Sequence, residues 1–184
     1  VPMVTPSSTA VEVTKDREYV FRTCFTDAQQ GDVAARFVFD TLKKKNVGLF
    51  YVAQDNYSAG LAKSFKESLQ KLGGTIVVEK GYQSKETQFT TLLSDLKASK
   101  PEVIFVPVYY NDMVQIARQA KQLGMPGSMF IGGDGWDSSD LIEGAGEALE
   151  GAYFTNHYAP DVPWPNSQAF LKSFKAKYNH EPSS

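Results

Sequence analysis

The sequence predicts an α/β fold in which a mostly parallel sheet carries helices on both faces. Two observations predict it. Short β-rich apolar runs alternate with amphipathic helical stretches, and a strand-then-helix unit recurs at roughly 25 to 30 residues, the spacing of right-handed βαβ units. Glycines also fall where helices must stop, at Gly73-Gly74 and Gly124, as expected of residues just past a helix C-terminus.

Taken in order, a helix is expected over 32–44, where Val33, Phe37 and Leu42 lie on one flank. The apolar run 47–53 reads as a strand. The stretch 59–72 then carries Leu61, Phe65 and Leu69 at helical spacing and ends at the glycine pair. A strand at 75–78 precedes a helix over 89–98, and a strand at 103–106 precedes a helix over 113–123. Two further short runs, 129–131 and 152–155, complete the set of strands.

Length and composition narrow the function classes. At 184 residues the chain suits one domain or slightly more and is long enough to bury a core. Hydrophobic residues at 42% and charged residues at 22% are ordinary for a globular protein. A formal net charge of -2 speaks against nucleic acid as a partner, which calls for a concentrated basic stripe. No apolar run approaches the roughly 20 residues of a membrane span. Cys24 is the single cysteine, so no internal disulfide and no cysteine-based zinc cluster is expected. The opening Val1-Pro2-Met3 has neither a basic nor an apolar leader segment and no initiator Met, and the chain is expected to be processed or a fragment.

Four polar clusters stand where a strand is expected to give way to a helix. They are Thr5-Pro6-Ser7-Ser8-Thr9, Asp55-Asn56-Tyr57, Tyr109-Tyr110-Asn111-Asp112 and Gly132-Gly133-Asp134-Gly135-Trp136-Asp137. In a parallel sheet all strand C-termini share one edge, and ligands bind in the crevice there, so residues distant in sequence converge on one cleft. Each cluster also has a plainer reading. Ser7, Ser8 and Thr9 are good helix caps, although helix-start N–H groups also attract carboxylates. Tyr57 can be a loop aromatic, and Asn56-Tyr57-Ser58 matches the unspecific glycosylation sequon. Of Tyr109 and Tyr110, which prolong an apolar strand, one is expected in the core and the other in the cleft. Asp137 or Ser138 reads as a cap, whereas Asp134 sits between glycines that permit close approach of a ligand.

Together the clusters describe a pocket for a zwitterion. Hydroxyls and helix-start amides would hold a carboxylate, and Asp134 would face an ammonium. Tyr57 and Tyr109, with Trp136 nearby, would wall an apolar side chain; the implied ligand is an amino acid. Features of an enzyme are missing. His157 and His180 lie outside the clusters, and no Gly-x-Ser-x-Gly elbow, phosphate loop or His-Glu-x-x-His occurs. Gly144-x-Gly146 precedes a strand instead of following one, Cys24 has no base nearby in sequence, and Asp55 lacks the partners of a phosphoacceptor aspartate. No catalytic residue, metal or cofactor is expected.

The residues also carry a resemblance. Thr5-Pro6-Ser7-Ser8-Thr9-Ala10, Tyr19-Val20-Phe21-Arg22-Thr23 and Asp27 with Gln30-Gly31 resemble the type I periplasmic binding proteins, above all the leucine/isoleucine/valine receptors of ABC importers. The likeness continues through Tyr57 with Gly60-Leu61-Ala62, through Tyr109-Tyr110-Asn111-Asp112 with Arg118-Gln119-Ala120, through Gly132-Gly133-Asp134-Gly135-Trp136 and through Leu149-Glu150-Gly151. It implies that Ser7, Ser8 and Thr9 form the stretch for the ligand's α-carboxylate, that Tyr57 and Tyr109, with Tyr110 as the lesser choice, are cleft aromatics, and that Asp134 pairs with the α-ammonium. Asp134 stands where many relatives carry Glu, and Trp136 where an aliphatic residue is common. Both differences bear on which amino acid is bound.

The resemblance further implies two α/β lobes in a protein of roughly twice this size, joined by three crossings. Residues 1–22 would belong to lobe one, 23–153 to most of lobe two, and 154–184 to a crossing and a returning helix (166–178) of lobe one. It implies an extracytoplasmic receptor, periplasmic or a surface lipoprotein, that delivers an amino acid to an ABC permease in the membrane. A ligand-sensing domain of a regulator or receptor with the same fold is the alternative.

Overall fold

The computed structural model describes residues 1–182. Two parallel sheets form. A small one pairs β1 (Met3–Thr5) with β2 (Val20–Arg22). The main sheet has five parallel strands: β3 (Asn46–Val52), β4 (Thr75–Tyr82), β5 (Val103–Val106), β6 (Phe130–Gly132) and β7 (Tyr153–Phe154). Their order is β4-β3-β5-β6-β7. The chain therefore winds outward from β3 to β4, then crosses back to lay β5 on the other side of β3.

The strands of the sheet centre are buried on both faces, which is why they read as unbroken apolar runs. Leu49 and Phe105 face one side with Leu61, Phe65 and Leu69 of α2 (Asn56–Lys71). Phe50, Ile104 and Val106 face the other, with Leu93 and Leu96 of α3 (Thr90–Ala98) and Met113 and Ile116 of α4 (Tyr110–Gln122). Phe65 stacks on Phe105 with ring centroids 4.1 Å apart. Helices on both faces are thus a consequence of two-sided burial. Gly73 and Gly124 take positive φ angles of 93° and 69° just past α2 and α4, as expected of helix-stopping glycines.

The first helix departs from expectation. It is α1 (Asp27–Arg36), five residues earlier than the apolar spacing predicts, and a π-helical turn over Phe37–Thr41 continues it. Thr26 and Gln29 close its N-terminus as a capping box. Val33 is 58% exposed, and the buried face is Gln30, Gly31, Ala34 and Ala35. This face carries little hydrophobic signal because α1 lies so close to α2 that only small residues fit. A Cβ on Gly31 would stand 2.7 Å from the backbone nitrogen of Phe65. Strand β4 is also longer than expected, since it lies at the sheet edge and alternates exposed with covered residues through Glu79 and Lys80.

α5 (Ser139–Ala145) and α6 (Pro165–Tyr178) complete the chain. α6 begins one residue before the expected position and has no buried residue. No helix among the described residues is long and apolar enough to cross a membrane.

Gly31→Ala is expected to destabilise the fold by about 1–3 kcal/mol, because the obstacle is backbone. Val33→Ala should stay within about 0.5 kcal/mol. Urea unfolding of both variants checks this; the reverse order would restore the originally expected helix face.

Candidate functional site

The reversal of strand order at β3 and β5 makes the loops leaving these strands diverge, and a cavity of about 380 Å³ opens there. Ser7, Ser8, Thr9, Tyr57, Tyr109, Tyr110 and Asp134 all line it. Four segments distant in sequence are thereby brought together. Trp136 is not among them. Its ring is 2% exposed, lies over Gly132 and donates from Nε1 to the Val106 carbonyl at 3.1 Å. A side chain that fills the core beneath the loop cannot wall the cavity above it.

Behind Ser7-Ser8-Thr9 stands only a 3-10 turn, Val11–Val13, whose cap, Ala10, makes no side-chain hydrogen bond. The hydroxyl loop is therefore no helix cap, and no α-helix start offers its amides there. Its shape has another source. The Thr5 hydroxyl donates to Ser8 Oγ at 2.9 Å and accepts from the Ser8 N–H at 3.1 Å. The Arg22 guanidinium donates to the carbonyls of Ser8 and Ala10 at 2.8 Å each and to Thr14 Oγ1 at 2.8 Å. Arg22 is thus a clamp on the loop. Cys24 Sγ lies 3.5 Å from the same Ser8 carbonyl, and burial raises its thiol pKa, the wrong direction for a nucleophile.

Asp55 caps α2 by accepting the Ser58 N–H at 2.7 Å, which places Tyr57 in the first turn and aims it into the cavity floor. The Tyr57 hydroxyl donates to Asp134 Oδ1 at 2.9 Å and accepts the Gly135 N–H at 3.0 Å. Burial first, and the Asp134 charge next, push its pKa well above the usual phenol value, so it stays a donor. Its ring meets that of Tyr109 with centroids 5.0 Å apart. Tyr109 is 50% exposed and Tyr110 is 36% exposed, so neither enters the core; the apolar run ends at the buried Val108.

Asp134 is held from three directions. Gln30 of α1, buried at 3% exposure, donates to Oδ1 at 2.8 Å, and its carbonyl accepts the Asp134 N–H at 2.9 Å and the Thr155 hydroxyl at 2.6 Å. Tyr57 supplies the second contact and His157 the third, its Nε2 lying 2.9 Å from Oδ2. The flanking glycines serve these protein contacts. A Cβ on Gly133 would stand 2.7 Å from the Tyr57 hydroxyl and 2.8 Å from Gln30 Oε1.

The sequence reading assigned no role to His157, Gln30 or Asp27. Asp27 and Gln30 stand out in the sequence only in the run, with Gly31, that carries part of the family resemblance, and His157 stands apart from every cluster. Asp27 is 3% exposed, and neither of its oxygens has a hydrogen-bond partner. Burial raises its pKa to about 6; the neighbouring Thr9 side chain, which stops short of hydrogen-bond geometry, draws it down, and the Asp134 charge draws it up. Among the described residues no group of three or more His, Cys, Asp or Glu side chains is placed to hold a metal ion.

Comparison with known proteins shows what the chain as a whole is similar to. A family described as periplasmic binding protein matches residues 1–184. The leucine-, isoleucine-, valine-, threonine- and alanine-binding protein of Pseudomonas aeruginosa is 33% identical over 182 residues, covering 98% of this chain and 48% of that protein. A leucine-binding protein of Thermotoga maritima superposes with a TM-score of 0.90 at 39% identity, over 100% of this chain and 52% of its own. A branched-chain amino acid transporter substrate-binding protein of Streptococcus pneumoniae, solved with isoleucine, superposes with a TM-score of 0.87 at 34% identity, with the same coverage. The chain spans about half the length of the curated relatives it matches.

A raised carboxyl pKa means that the folded state binds more protons than the unfolded chain as pH rises from the usual 3.8 to about 6. The cost of ionising Asp27 in the fold is absent below this window and complete above it, at about 3 kcal/mol. Asp27→Asn should therefore stabilise the protein at pH 8 by up to that amount, with the gain fading as pH falls from about 6 and gone below about 4. Thermal melting across this range checks it, and a gain equal at all pH values would refute the assignment.

Proposed function

We propose, for a chain that belongs to the periplasmic binding protein family, that it forms one side of the ligand cleft of an amino-acid receptor serving an ABC importer. The observation that carries the reading is Asp134, a carboxylate locked by three partners at a cavity that Ser7 and Ser8 also line. A carboxylate offers about four lone-pair directions, and these partners take three. The remaining one suits an ammonium. The hydroxyl loop suits the ligand's carboxylate, and Val13, Tyr57, Tyr109 and Tyr110 suit an apolar side chain.

The relatives support the ligand class, since the Pseudomonas aeruginosa protein is named for binding small, mostly aliphatic amino acids and the Streptococcus pneumoniae structure holds isoleucine. So does the electrostatics of the floor. The Asp134 charge adds to the cost of ionising the buried Asp27, and an arriving cation offsets that cost. We assign residues 1–22 and 154–184 to one lobe and 23–153 to the other, with closure of the lobes burying the ligand. In this reading the closed form is presented to a membrane permease outside the cytoplasm, and no bond is made or broken.

Calorimetric titration of leucine, isoleucine and valine into the full two-lobed protein tests the proposal. Asp134→Ala leaves a desolvated ammonium unpaired, so affinity should fall at least a hundredfold, about 3 kcal/mol. Binding of these amino acids with undiminished affinity by the variant would overturn the role of Asp134.

A further inference from the structure

We infer that His157 is a positioning residue of the ammonium subsite, acting on the ligand through Asp134; this rests on the reading of Asp134 given above. Asp134 Oδ1 is held by Gln30 and Tyr57, whereas Oδ2 has one protein partner, His157 Nε2 at 2.9 Å. An ionised carboxylate only accepts, so the nitrogen facing it carries a hydrogen. Without this donor the carboxylate would still be fixed at Oδ1 but free to rotate about that anchor, and Oδ2, the oxygen with an open direction, would lose its place.

The imidazole is itself held. It stacks on Phe25 with centroids 4.0 Å apart and an interplanar angle of 21°, and the backbone N–H of the same residue donates to Asn156 Oδ1 at 2.8 Å, which ties down the main chain that carries the ring. Only 19% of the His157 side chain and 11% of that of Asp134 are exposed. Phe25 follows β2 and His157 follows β7, so two strand-exit segments meet in this stack. The segment after β7 also closes on Gln30, whose side-chain carbonyl takes the Thr155 hydroxyl. The orientation of the acid thus depends on the packing of the segments around it. His157 lines the cavity, yet its ring nitrogen is directed at the acid.

The test compares an amino acid with its counterpart lacking the amino group, leucine against 4-methylpentanoate, in the full two-lobed protein. The readout is the ratio of the two affinities. His157→Ala should lower this ratio about tenfold or more, the worth of one hydrogen bond to a charged group. His157→Gln, which keeps a side-chain N–H donor but not the stacked ring, should restore most of it. A role confined to stability would weaken both ligands alike, so a ratio unchanged in His157→Ala overturns the inference. A wild-type protein that does not prefer the amino acid instead overturns the reading of Asp134, and this inference with it.

Discussion

One half-buried carboxylate organises the loops at the edge of the main sheet. Asp134 accepts from Gln30 of α1 and Tyr57 of α2 at one oxygen and faces His157 at the other. An isolated charge cannot be taken out of water without such partners, because the desolvation penalty amounts to several kcal/mol per ion. The need to satisfy it fixes where α1, α2 and the segment after β7 can lie relative to the 133–135 turn. Glycines at 133 and 135 are part of the same solution, since a Cβ at either position would crowd the Tyr57 hydroxyl.

The second acid has the opposite character. Asp27 is buried at the first position of α1 with no hydrogen-bond partner, and its raised pKa reports the resulting strain on its charge. The folded protein thus keeps two carboxylates near one cavity, one satisfied and one not. Ionising Asp27 lowers the stability of the fold, and in the reading proposed above a cation held at Asp134 would offset part of that cost. That is the usual direction of the trade between stability and function at a site.

The geometry of the sheet explains why the cavity lies where it does. Strand order reverses between β4-β3 and β5-β6-β7, and the α2 and α4 N-termini separate at that point. Tyr57 and Tyr109 issue from the two diverging loops and meet with centroids 5.0 Å apart, an aromatic wall that neither loop could build alone. The hydroxyl loop after β1 reaches the same cavity because Arg22, in the neighbouring strand, ties its carbonyls down.

The sequence by itself determined the α/β class, the strands at the sheet centre and the helices that pack through large side chains. Leu61, Phe65 and Leu69, for example, advertise their face by hydrophobic contrast. Local signals also determined which loops are polar where strands end, and so the cavity residues Ser7 through Thr9, Tyr57, Tyr109, Tyr110 and Asp134 were legible. Tertiary structure alone decided the buried face of α1, because close packing through Gly31, Ala34 and Ala35 leaves almost no hydrophobic contrast. It also decided that Trp136 turns inward, since a glycine at 132 opens the space its ring fills. The partnership of Gln30 with Asp134 and Thr155 was beyond any local reading, since hydrogen bonds across a hundred residues or more leave no periodicity in a chain, and the shorter span of 23 residues from Asp134 to His157 leaves none either.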